Sequence, residues 1–191
     1  SVGLARCVTV STVVDLRKRI YGGQDCQNER HYHVKVILEK DGKQSYCGGS
    51  LIHPRWVLTA MFAGFLLTST HFCDHTNLLC LTNADSLWLR GFFPGQPPHL
   101  QCANMHVVDC KLTRNSRCDS DVPYNNRLCL EEPNVDVHEG DSGGGVIYNN
   151  MIYGVIKSTG KRVCTGPVVT VKVCPYMKWI NQKINPKSNG K

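Results

Sequence analysis

Apolar and polar positions alternate along much of this chain with the two-residue period of a half-buried β-strand. Val34, Val36 and Leu38 are interleaved with Lys35 and Glu39, and only Ile37 breaks the alternation. Asp41-Gly42 follows. That pair readily adopts the positive φ angles of a tight hairpin, so a return strand is predicted over 45–52. Trp56-Val57-Leu58-Thr59 predicts a third strand. Apolar runs at 145–148 and 151–156 are joined by Asn149-Asn150, a second hairpin pattern. Residues 168–173 are β-branched apart from Lys172, which again suits a strand. The period changes only near the end. Pro175 fits a first helical turn, Tyr176, Trp179, Ile180 and Ile184 then share one face, and Pro186 stops the helix. Many short strands, turns rich in Gly and Pro, and one terminal helix predict an all-β barrel or sandwich.

A length of 191 residues, 41% of them hydrophobic, is enough for one large domain or two small lobes. The longest apolar stretch, 56–67, is too short to cross a bilayer, so no transmembrane segment is expected. No leader pattern stands at Ser1, the expectation for a mature form. Eleven cysteines change the picture more. They are scattered from Cys7 to Cys174 and do not form the close pairs of zinc sites. Disulfides, an oxidising compartment and secretion follow as expectations, and the odd count leaves at least one thiol over. The formal charge of +7 is partly carried by Arg17-Lys18-Arg19, Lys157, Lys161 and Arg162. A solvated surface is the ordinary meaning, and an anionic glycan is the alternative partner. No nucleic-acid module and no cofactor motif is found. His31 and His33 would face one side of a strand, but no third ligand accompanies them, so no metal is expected. His106 and His138 read as surface or structural residues.

The chemistry-bearing motif is Gly140-Asp141-Ser142-Gly143-Gly144, placed before a predicted strand. A serine between glycines on a tight turn can present its hydroxyl to a substrate. Backbone N–H groups can converge there on a developing oxyanion, because no side chain blocks the approach.

Four further landmarks accompany it. Ile20-Tyr21-Gly22-Gly23 follows the basic run ending at Arg19. Cys47-Gly48-Gly49-Ser50-Leu51-Ile52 precedes Trp56-Val57-Leu58-Thr59-Ala60. Tyr153-Gly154-Val155-Ile156 follows the serine motif, and Lys172-Val173-Cys174 leads into Tyr176 and Trp179-Ile180. In this order the chain resembles the trypsin/chymotrypsin family of serine proteases, from Ile20 almost to the C-terminus. The resemblance implies a double β-barrel with a C-terminal helix, a propeptide-like extension over 1–19 and a protease-like domain over 20–191. It implies that Ser142 is the nucleophile's remnant and that the amides of Gly140 and Ser142 form an oxyanion hole. Asp141 would pair with the new amine of Ile20 once the chain is cut after Arg19. Asp136 would be the acid of an Arg/Lys-selective specificity pocket.

The same comparison exposes what is missing. A serine hydroxyl is inert until a base takes its proton, and the family uses a histidine oriented by a buried aspartate. Where the family has Thr-Ala-Ala-His-Cys, this chain reads Thr59-Ala60-Met61-Phe62-Ala63, so Phe62 stands in the histidine's place. The aspartate has no counterpart. Matching His75-Thr76-Asn77-Leu78-Leu79 to the family's acid-bearing segment puts His75 in its seat. Matching Cys80-Leu81-Thr82 to a later Cys-Leu-Pro deletes the acid's strand altogether. The stretch from Ala60 to Cys102 is much shorter than in family members, so the N-terminal barrel should be shortened. Val168 replaces a pocket glycine, His138 replaces a cysteine whose partner would be Cys164, and Lys157-Ser158-Thr159 replaces the substrate-pairing edge.

The expectation is therefore a secreted serine-protease homologue that has lost peptidase activity and acts by binding a protein partner. A rival reading takes Thr68-Ser69-Thr70-His71-Phe72-Cys73 as a displaced histidine motif. His71 would then be the base of an active endopeptidase, Asp74 its orienter and Cys73 the partner of Cys47. A third reading is a polyanion-binding or structural secreted protein. The resemblance also implies a Cys26–Cys102 disulfide and one from Cys129 to Cys110 or Cys118. If Cys80 belongs to the later segment, it would pair with Cys7 and keep the extension tethered. Cys47 and Cys73 are a candidate pair by nearness in sequence.

Overall fold

In the computed structural model the chain is described at residues 20–26, 32–40, 43–60, 72–73, 80–83, 100–113, 122–137, 140–157 and 166–185. The strands in chain order are β1 (Ile20–Tyr21), β2 (Gln24–Asp25), β3 (His33–Lys40), β4 (Lys43–His53) and β5 (Trp56–Thr59). They continue with β6 (Phe72–Cys73), β7 (Cys80–Asn83), β8 (Gln101–Cys102), β9 (His106–Val108) and β10 (Arg127–Glu131). The last are β11 (Asp136–Val137), β12 (Gly145–Tyr148), β13 (Met151–Ile156) and β14 (Val168–Lys172), before the helix α1 (Met177–Ile184).

Two antiparallel five-stranded sheets organise these elements. The first runs β3-β4-β5-β7-β6 and the second β12-β13-β14-β10-β9. The hairpin from β3 to β4 stays in register from His33↔Ser50 to Lys40↔Lys43. Both strands exceed their predicted lengths, because backbone pairing continues past the last apolar residue of the alternation. β5, β12 and β13 have their predicted bounds, and Asn149 and Asn150 take φ of 46° and 58° in the turn between the last two. Cys80–Asn83 is a strand paired with β5, Thr59 standing opposite Cys80. The segment is thus a member of the first sheet rather than a connection between sheets. The short pairs β1-β11 and β2-β8 had no periodic signal, since two residues are too few to show one.

The main core lies where the two sheets and the helix meet. Leu58 of β5 and Ala60 just after it join Val155 and Val171 of the second sheet and Val173 just after β14, and Tyr176 and Ile180 close the cluster. Trp179 and Ile184 pack against it, so the face predicted from the helical period is the one that is buried. The α-helix itself starts at Met177, after a 3-10 turn over Cys174–Tyr176. That turn places Pro175, which has no N–H to donate, where the lost donor costs nothing. A second cluster, Leu130, Val137 and Val168, fills the second sheet's own interior.

Disulfides join Cys26 to Cys102 and Cys110 to Cys129. The first links the ends of the β2-β8 pair, where the Cys26 N–H also donates to the Leu100 carbonyl at 2.8 Å. The second holds the 3-10 turn over Cys110–Thr113 against β10. Cys47 is buried, and Cys174 is an exposed free thiol. The buried Arg127 fixes the chain on either side of residues 114–121. Its guanidinium donates to the Val122 carbonyl at 2.9 Å and to the Thr113 carbonyl, and stacks 5.9 Å from the Tyr124 ring.

Candidate active site

The serine turn is built by backbone chemistry. Gly140 and Gly143 have φ of 104° and 84°, the left-handed region that a side chain makes costly. Between them Asp141 and Ser142 are 8% and 6% exposed. The Gly144 N–H donates to the Asp141 carbonyl at 3.0 Å and closes the turn.

The turn is then tied to both sheets. On one side the Gly48 N–H of β4 donates to the Ser142 carbonyl at 2.6 Å. On the other, the Gly143 N–H donates to the Ile156 carbonyl at 2.7 Å, and the Ile156 N–H returns a bond to Gly144 at 2.8 Å. The Thr59 hydroxyl donates to the Gly48 carbonyl at 2.8 Å and anchors β5 to the same spot. A Cβ at Gly143 would overlap that carbonyl oxygen and that hydroxyl. The approach between turn and sheet is close enough to admit glycine only.

Of the hydrogen bonds among the described residues, none reaches the Ser142 side chain. Three histidines are described. The Nδ1 of His106 lies 2.7 Å from Glu132, the Nδ1 of His53 accepts from the Arg55 N–H at 3.3 Å, and His33 stands beside Gly48. Phe62, Ala63, His71, Asp74 and His75 lie outside the described residues, as do Cys7, Arg19, His31, Cys118, His138, Ser158, Thr159 and Cys164. The side chains of Cys73 and Cys80 lie outside them as well.

Asp136 sits on β11, opposite Tyr21, and is half-buried. Its Oδ1 accepts the Val137 N–H at 2.8 Å, so one oxygen is engaged by its own loop. Val168 is 7% exposed and packs with Leu130 and Val137. Lys157 is half-buried and follows β13 directly. Ile20 pairs with Val137. Together with Gly140, Asp141 and Val168 it lines a cavity of about 290 Å³ between the sheets. Neither Ser142 nor Asp136 is part of that lining.

The sequence reading missed Gly48 and Thr59 as supports of the serine turn. The available signal was the Gly48-Gly49 doublet, which removes both side chains from a strand that must touch another backbone.

Comparison with known proteins agrees with this architecture. The family model described as Trypsin matches residues 20–61 and 79–180. The unmatched stretch 62–78 contains Phe62, His71, Asp74 and His75, every residue on which the readings of base and acid turn. Serine protease sp-Eoc49 of Echis ocellatus is 26% identical, over 86% of this chain and 87% of that protein. Human Kallikrein-5 is 24% identical, over 91% of this chain and 79% of its own length. Among solved structures, the scabies mite inactivated protease paralogue S-I1 superposes with a TM-score of 0.71 at 17% identity, covering 86% of this chain and 99% of that one. Its relative S-D1 gives 0.69 at 16% identity, covering 90% and 100%.

Proposed function

From the premise that this chain belongs to the trypsin family of serine proteases, we propose that it is a secreted family member without peptidase activity that works by binding a protein partner. The observations that carry this reading are Phe62, which stands in the sequence where the resemblance places the base, and a serine whose hydroxyl no described group engages. A phenyl ring accepts no proton, and removing the base from such a site lowers the rate by several orders of magnitude. The specificity pocket points the same way. Val168 occupies the space that a glycine would leave open, and the Asp136 carboxylate is partly spent on the Val137 amide. Two disulfides and the likeness to snake venom proteases and kallikreins support an extracellular location. No described helix is long and apolar enough to cross a membrane.

In this reading cleavage after Arg19 frees the Ile20 amine, and Asp141 receives it. The partner meets the chain between Met61 and Pro98, a span that includes the stretch 62–78 unmatched by the family, or the shallow former substrate cleft. A fluorophosphonate probe decides the matter. The protein, cut after Arg19, should show no adduct on the Ser142 peptide by mass spectrometry. Stoichiometric labelling would instead establish an activated serine, with His71 the first base to mutate.

A further inference from the structure

The cavity between the sheets shares Ile20 and Asp141 with the activation pair of the reading above, which gives no role to its apolar walls or to Ser50. It stands apart from the Ser142 hydroxyl and the Asp136 carboxylate, neither of which lines it. Its walls are mostly apolar, and Met105, Leu130, Val137, Val146, Ile156 and Val168 supply methyl and methylene surface. Tyr32, His33, Gln101 and Asp141 contribute polar groups, and each of these already has interactions of its own. Ser50 is different. It is 2% exposed, it belongs to the wall, and its hydroxyl has no hydrogen-bond partner among the described residues. A buried hydroxyl left unpaired is costly and uncommon in folded proteins. Gly145 faces it, and a Cβ there would come within 2.6 Å of the Ser50 oxygen, so only a residue without a side chain fits against that oxygen.

We propose that this cavity binds a small neutral molecule: a hydrocarbon ring or short chain carrying one hydroxyl, with that hydroxyl bonded to Ser50. Size follows from volume. An apolar cavity of about 150 Å³ holds benzene, so roughly twice that space suits a guest of roughly ten non-hydrogen atoms. The class follows from the wall: apolar surface favours a hydrocarbon body, and the unmet capacity is that of one alcohol. The Ser50 oxygen is covered in this structure. The proposal therefore includes a rotation of the Ser50 side chain to another staggered position, which brings the oxygen to the guest. The guest does not depend on Ser142 reactivity, so fluorophosphonate labelling and occupancy of the cavity are separate readouts.

The test titrates the full chain with 4-propylphenol and with propylbenzene, following the methyl NMR signals of Val137, Ile156 and Val168. Both probes should shift these signals saturably, the phenol at about three- to tenfold lower concentration, the ratio one hydrogen bond supplies. Ser50→Ala should abolish that preference while leaving propylbenzene affinity unchanged. Gly145→Ala should weaken the phenol through its contact with Ser50. Absence of saturable shifts from either probe in the wild-type chain overturns the proposal, as does an unchanged preference in Ser50→Ala.

Discussion

Gly143→Ala is the perturbation that most directly tests how the serine turn is held. Glycine there has φ of 84°, and an L-residue in that region costs about 1–2 kcal/mol. The added methyl also collides with the Gly48 carbonyl and the Thr59 hydroxyl, with the Gly48 carbonyl carbon only 2.9 Å away. Relief requires the turn and β4 to separate. That movement breaks the Gly48–Ser142 bond and the Thr59–Gly48 bond, each contributing about 0.5–1.5 kcal/mol. The combined loss is about 2–5 kcal/mol, a large share of the stability of an ordinary domain. In a chain of this size it lowers Tm by roughly 5–20 °C.

Backbone strain alone could produce part of that loss, so the assay includes Thr59→Ala and the double variant, all in urea unfolding followed by tryptophan fluorescence. If the methyl acts through the hydroxyl, the double variant loses about 1 kcal/mol less than the sum of the single ones. Additivity within about 0.5 kcal/mol would refute the part assigned to the Thr59 hydroxyl and leave the φ angle and the Gly48 carbonyl as the causes.

Other expectations follow from the same structure. Replacing both cysteines of the Cys26–Cys102 bridge, 76 residues apart, should cost about 4–5 kcal/mol on chain-entropy grounds, against about 3 kcal/mol for Cys110–Cys129, 19 apart. Urea midpoints of the two double variants give the order, and equal losses would discount the loop-length account. Arg127→Met strands the Val122 and Thr113 carbonyls in the interior and should cost about 2–4 kcal/mol in the same assay. Ser142→Ala should leave stability within about 0.5 kcal/mol, because no described group bonds the hydroxyl it removes.

Legibility in the sequence tracks the length of each element. β5, β12 and β13 were readable to the residue, because each is a run of apolar side chains closed by a turn or a polar residue. β9 and β10 were not. β10 carries a buried Arg127 among its apolar residues, and β9 exposes Val107, so neither shows the alternation that marks a strand. The serine motif announced itself through its glycines, but its supports did not. Gly48 and Thr59 lie some ninety residues upstream and carry no chemistry of their own. Only the sheet pairing brings them to the turn. The cavity was equally invisible, because its wall is assembled from both sheets and from the β2-β8 pair.

Catalysis and architecture use different atoms of the same five residues. A protease needs the Ser142 hydroxyl, a base to activate it and an open pocket beside it. The fold needs the Ser142 carbonyl, the amides of Gly143 and Gly144, and the absence of a Cβ at Gly143. The fold alone therefore requires Gly143 and the backbone bonds of this turn, which join the first sheet to the second, and makes no demand on the Ser142 hydroxyl. The glycines of the motif are consequently weak evidence for peptidase activity in this chain. Under the proposed reading the informative position is Phe62, which stands in the sequence where the resemblance places the base.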